Sequence, residues 1–80
     1  MKHRILLADD HTIVLNGLKG LLSKESDLEI AGMAESGSEA LELARKLHPR
    51  VAVLDVTLGD INGIEVSRIL RRELPETAIL

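Results

Sequence analysis

Short continuous apolar runs alternate along this chain with stretches in which apolar residues recur every three or four positions. Ile5-Leu6-Leu7-Ala8 is the first run, and its period alone does not separate a buried strand from a fragment of helix. The neighbouring stretch decides for a strand. Val14, Leu15, Leu18, Leu21 and Leu22 have the spacing of one apolar helix face, which predicts a helix from about Thr12 to Lys24. Gly17 and Gly20 weaken that helix and are expected to let it pack closely against a sheet. After the polar turn Lys24 to Asp27, the weaker apolar stretch Leu28 to Ala34 reads as a second strand.

Ser36 followed three residues later by Glu39 is the pattern of a capping box, in which each side chain satisfies a backbone donor of the other's segment. A helix should start there, with Ala40, Leu43, Ala44 and Leu47 on its apolar face and Pro49 as its stop. A third strand, Val51 to Asp55, comes directly after it. Beyond a loop containing Gly59 and Gly63, a third helix should carry Ile64, Ile69 and Leu70 towards the core and end near Leu74-Pro75. Thr77 to Leu80 begins a fourth strand.

Strands and helices thus alternate as β-α-β-α-β-α-β with no linker or low-complexity segment, which implies an α/β fold with a parallel sheet and right-handed crossovers. Ending inside the fourth strand, the chain is expected to expose Ala78, Ile79 and Leu80 on an unpaired edge that invites another chain.

Composition narrows the function. The 80 residues form one small domain near the lower end of what folds unaided. There is no cysteine, so disulfides and thiolate metal sites are excluded and a reducing cytoplasm is compatible. No apolar run approaches a membrane span, which reads as a chain without a membrane partner. A net charge of −3 and the absence of Phe, Tyr and Trp argue against nucleic-acid binding by this segment itself. Arg68, Arg71 and Arg72 read as the solvated face of the third helix.

The informative chemistry lies at the strand ends. Asp9 and Asp10 close the first run, and Asp55 closes the third. Side chains at the carboxyl ends of neighbouring parallel strands converge where ligands bind, so the three carboxylates are expected to share one small volume. Their mutual repulsion calls for a hard divalent cation with oxygen ligands, and magnesium, which commonly bridges carboxylates to a phosphoryl group, suits them best. His3, His11 and His48 have no metal-ligand spacing and are expected to face solvent or cap helices. The glycines around Gly32 and Gly37 match neither a dinucleotide fingerprint nor a phosphate-binding loop.

Over its whole length the chain resembles the receiver domain of two-component response regulators. The residues that carry the likeness are Ile5 to His11, the helix start Gly37-Ser38-Glu39-Ala40-Leu41, Leu54-Asp55-Val56-Thr57-Leu58, and Asn62-Gly63-Ile64-Glu65. Ala8-Asp9-Asp10-His11 with Gly17-Leu18 and Leu21-Leu22 is similar in particular to the subfamily with a helix-turn-helix DNA-binding domain behind the receiver. The resemblance implies a flavodoxin-like sheet of order 2-1-3-4-5, here a partial receiver domain over residues 1–80 without the fifth strand, the last two helices or a DNA-binding domain.

It further implies that Asp55 accepts a phosphoryl group from a sensor histidine kinase in the cytoplasm. Asp10 would be the more direct magnesium ligand, Asp9 would act mostly through metal-bound water, and Thr57 would offer its backbone carbonyl. Two departures stand out. Gly59-Asp60 replaces the proline usual after the position of Leu58, so the loop is expected to be less rigid and more acidic. The family's switch hydroxyl and its lysine have no counterpart, Thr77 lying too early in its strand, so phosphorylation of Asp55 in this form is expected to be slow or absent.

The leading reading is a phosphoacceptor module of a transcription regulator rather than an enzyme, touching DNA only through a domain outside this chain. Two alternatives stand beside it. One is a magnesium-dependent phosphotransferase, for which Asp55-Val56-Thr57 lacks a nearby second acid or base. The other is an assembly unit that forms a homo-oligomer through its sheet edge or exchanged elements.

Overall fold

A computed structural model describes residues 2–80. Four strands, β1 (His3–Ala8), β2 (Leu28–Ala34), β3 (Val51–Leu54) and β4 (Ala78–Ile79), alternate with helices α1 (Thr12–Leu22), α2 (Gly37–Leu47) and α3 (Gly63–Glu73). The strands are parallel and lie in the order β2-β1-β3-β4, the order the resemblance implies as far as these elements go.

Because successive strand residues point to opposite faces, β1 serves two cores at once. Leu6 and Ala8 face α2 and α3 and pack with Ala40, Leu41, Ala44, Ala52, Val66 and Leu70. Ile5 and Leu7 face the other way, against Leu15 of α1 and the half-buried Val51 and Val53. Leu6, Leu7, Val66 and Leu70 are the largest fully buried side chains. Each contributes about 1.5–3 kcal/mol by leaving water. A continuous run without alternation is therefore what a strand covered on both sides requires.

Several boundaries and faces differ from the sequence reading. α1 ends at Leu22 instead of Lys24, since after the Ser23 amide the next two, of Lys24 and Glu25, donate to carbonyls only three residues back, at Leu21 and Leu22, and tighten the chain out of the α-helical ladder. Only Leu15 of the expected α1 face is buried, with Leu18 and Leu22 half-buried beside it, whereas Val14 and Leu21 remain 42% and 64% exposed. Leu15, Leu18 and Leu22 make one narrow stripe, and Val14 and Leu21 fall on the adjoining one. Gly17 and Gly20 lie away from the sheet, since a Cβ at either would meet nothing within 4 Å.

In α3, Ile64 is 59% exposed, contrary to expectation, while Val66 and Leu70 are fully buried. Val66 and Leu70 are four residues apart on one face; Ile64 precedes Val66 by about 200° of helical rotation and points away.

The helix starts obey local chemistry. Ser36 accepts from the Glu39 amide at 3.1 Å, and Asn62 accepts from the Glu65 amide at 2.9 Å. The Ser36–Glu39 box is not closed reciprocally, because the Glu39 carboxylate accepts from the amide of Glu35, one residue earlier than the cap. α2 stops at His48, which enters the left-handed region at φ 47° before Pro49 and donates its amide to the Ala44 carbonyl. At that same end of the sheet the buried Thr77 hydroxyl donates to the Pro49 carbonyl, joining the turn before β4 to the turn before β3.

Candidate functional site

Register brings the acids together. Ala8 of β1 lies opposite Leu54 of β3, so the next residues on the two strands, Asp9 and Asp55, emerge side by side at the carboxyl edge. The Asp55 amide donates to the Ala8 carbonyl at 2.9 Å, and the Asp9 amide donates to the Ala34 carbonyl at 3.0 Å. Asp55 therefore sits just past the end of β3, not inside it, with its backbone still held by β1.

Asp9, Asp10, His11 and Asp55 each offer a ligand atom, and these atoms all lie within 4.8 Å of one another. At that spacing each pair of carboxylates repels by about 1 kcal/mol in bulk water and about 3–4 kcal/mol near a protein surface. Asp9 and Asp55 are half-buried and Asp10 is exposed, so the cluster is open to water on one side. Hard carboxylate oxygens with room for several waters match the coordination habits of magnesium, and there is no thiolate to favour a softer metal.

The structure adds His11 to the group. Its Nδ1 lies 2.8 Å from Asp9 Oδ1 and 2.8 Å from Asp10 Oδ1, and its amide donates to Asp9 Oδ1 at 2.8 Å. The hydrogen bond with Asp9, followed by the charge of Asp10, raises the His11 pKa above its ordinary value. The imidazole occupies the N-cap position of α1 without making a capping bond, so its side chain serves the carboxylates instead. Direct adjacency to Asp9-Asp10 is the sequence signal for it; spacing rules for histidine ligands do not register such a contact.

Thr57 reaches Asp55 through its side chain. Its hydroxyl donates to Asp55 Oδ2 at 2.9 Å, fixing one oxygen of that carboxylate. Next along the loop, Asp60 accepts from the amides of Gly37 and Ile61, each at 2.7 Å, from the Ser38 amide at 3.2 Å, and from the Ser38 hydroxyl. The loop that sequence marks as loose is thereby tied to the start of α2. Thr77, by contrast, bonds the Pro49 carbonyl at the far end of β3 from Asp55 and takes no part in the cluster.

Residues 5–80 match the family model described as the response regulator receiver domain. The chain is 35% identical over 79 residues to the transcriptional regulatory protein MctR of Rhizobium johnstonii, covering 99% of itself and 37% of that protein. It is 34% identical over 80 residues to the response regulator protein VraR of Staphylococcus aureus, covering all of itself and 38% of that protein. The chain thus spans well under half the length of these curated relatives. A crystal structure of a LuxR-family two-component response regulator from Aurantimonas superposes with a TM-score of 0.91 at 33% identity, over 99% of this chain and 56% of that one.

Proposed function

The chain belongs to the response regulator receiver family, and from that premise we propose that Asp55 is its phosphoacceptor and that Asp9, Asp10 and Asp55 hold the magnesium the transfer requires. The observation carrying this is the convergence of the three carboxylates at adjoining strand ends. The donor we propose is a phosphohistidine on a sensor histidine kinase, the place of action is the cytoplasm, and the output is control of transcription through a DNA-binding domain outside these residues. Among the described residues no helix is long and apolar enough to cross a membrane.

The Asp55 carboxylate acts as the nucleophile, forming an acyl phosphate as the bond from phosphorus to the histidine nitrogen breaks. Magnesium, where held by Asp9, Asp10 and Asp55, would supply positive charge that offsets the repulsion between carboxylate and phosphoryl group and stabilises the equatorial oxygens. Thr57 restrains the nucleophile by holding Oδ2, and its backbone carbonyl would supply a further oxygen ligand to the ion. Asp10, the more exposed of the two acids that follow β1, would hold the ion more directly, and Asp9 would act mainly through water. The chain is in this reading an acceptor that stores a signal, not an enzyme that turns over substrate.

Calorimetric titration with magnesium tests the assignment. The wild type should bind one ion, and Asp10→Asn and Asp55→Asn should each weaken binding at least roughly tenfold, as expected for loss of one charged ligand. Equal binding by all three would overturn it.

Self-association is a second reading, favoured by the shallow groove between α3 and the sheet edge, where Val56, Ile64 and Leu80 are exposed beside Leu54 and Ile79. Sedimentation velocity should then show association rising with concentration. A monomer at every concentration would contradict it.

A further inference from the structure

The β3–α3 loop is clamped at both ends. A Cβ on Gly63 would collide with the Asp55 carbonyl, and a Cβ on Gly37 would collide with the Ile61 carbonyl. The backbone of the loop thus touches the first residue of α3 on one side and the first residue of α2 on the other. Between these contacts only Leu58 is buried, while Val56, Thr57, Gly59 and Asp60 are exposed. Gly59 has open space around it, so packing does not restrain this part of the loop.

Asp60 fills that role. Its carboxylate accepts from the Gly37, Ser38 and Ile61 amides and from the Ser38 hydroxyl, so four donors converge on one group. Two of those amides belong to the first turn of α2, where backbone donors lack partners within the helix and a negative charge is favoured. The chain places an acid from a different loop at that position.

We propose that Asp60 is a positioning residue for Asp55: by latching residues 56–62 onto the first turn of α2, it fixes the acceptor carboxylate relative to Asp9 and Asp10. The latch takes over the restraint that a proline would give at Gly59. It also makes the docking of α2 part of the acceptor site, although α2 contributes no ligand to it. The inference rests on the reading of Asp9, Asp10 and Asp55 as a magnesium and phosphoryl site.

The test compares the wild type, Asp60→Ala and Ser38→Ala by amide relaxation of residues 55–60 and by magnesium titration followed at the Asp55 amide. Asp60→Ala should lower backbone order in the loop and weaken magnesium binding by roughly threefold or more. Ser38→Ala, which keeps every charge, should move both in the same direction by less, separating the latch from a change in electrostatics. It also carries the comparison if Asp60→Ala fails to fold. Unchanged loop order in the variants overturns the latch whatever magnesium does. A loosened loop with unchanged magnesium affinity overturns the positioning role. A wild type that binds no magnesium defeats the acceptor-site reading instead, and loop order still decides the latch.

Discussion

The Thr57 hydroxyl donates a hydrogen bond to Oδ2 of Asp55 at 2.9 Å, so one oxygen of the carboxylate proposed as the phosphoacceptor is held and Oδ1 is left free of that bond. A hydroxyl two residues beyond a strand-end acid reaches back across the turn without disturbing the register that sets the acid in place. The side chain therefore restrains the Asp55 carboxylate independently of any role for the Thr57 carbonyl.

Thr57→Val keeps the shape of the side chain and removes the donor. At this exposed position the lost bond is worth about 1 kcal/mol, so modification by acetyl phosphate with magnesium should slow by roughly fivefold. Intact-mass time courses would read the rate. An unchanged rate means that the hydroxyl does not order the carboxylate.

Gly59 in the loop and Gly63 at the start of α3 should respond oppositely to alanine. Gly63→Ala drives a Cβ into the Asp55 carbonyl, and the helix must move away from Asp55, at a cost of about 1–3 kcal/mol. Gly59→Ala meets nothing within 4 Å and Gly59 has no positive φ, so restricting the unfolded chain should stabilise by about 0.4–1 kcal/mol. Urea unfolding of both variants measures this pair. A Gly63→Ala variant as stable as the wild type would mean that the close approach to Asp55 is relaxed at no cost.

Asp60 should stay ionised at unusually low pH. The Ser38 hydroxyl, and then the Ile61, Gly37 and Ser38 amides, hold its pKa well below the ordinary carboxylate range. Because the folded value lies below the unfolded one, this contribution to stability is fully present above the ordinary carboxylate range. It disappears only as pH falls through the folded value. Carbon-detected NMR titration of the Asp60 carboxyl should show no protonation where free carboxylates titrate. A midpoint at the ordinary value would show that the four donors do not bind the carboxylate in solution.

Leu70→Ala removes a fully buried side chain beneath α3 and should cost about 2–5 kcal/mol. Ile64→Ser, on the exposed side of the same helix, should change stability by no more than about 0.5 kcal/mol. Denaturant midpoints distinguish the two positions. A large loss at Ile64 would place it in an interface, as self-association through the neighbouring groove requires.

Much of this architecture is legible in the order of residues, because the patterns concerned are local. The run Ile5 to Ala8, the cap at Ser36, and the acids directly after β1 and β3 each depend on neighbours within a few positions. Helix faces are harder to read. In α1 more apolar residues are present than one face can bury, and only contact with the sheet shows that Leu15, not Val14 or Leu21, lies inward. The Asp60 latch is harder still, because its donors at Gly37 and Ser38 lie more than twenty residues earlier in the chain. The fold brings them together, and no spacing rule links them. The same limit explains why the Gly59-Asp60 loop reads as loose in sequence and is tethered in the structure.

The most direct test of the acceptor assignment is to treat the chain with acetyl phosphate and map the product by mass spectrometry, with and without magnesium. One phosphoryl group should appear on Asp55, slowly in this form, fail to form when magnesium is removed by a chelator, and be absent from Asp55→Asn. A phosphoryl group that forms without a divalent cation, or that persists on Asp55→Asn at another residue, would contradict the assignment of the three strand-end carboxylates.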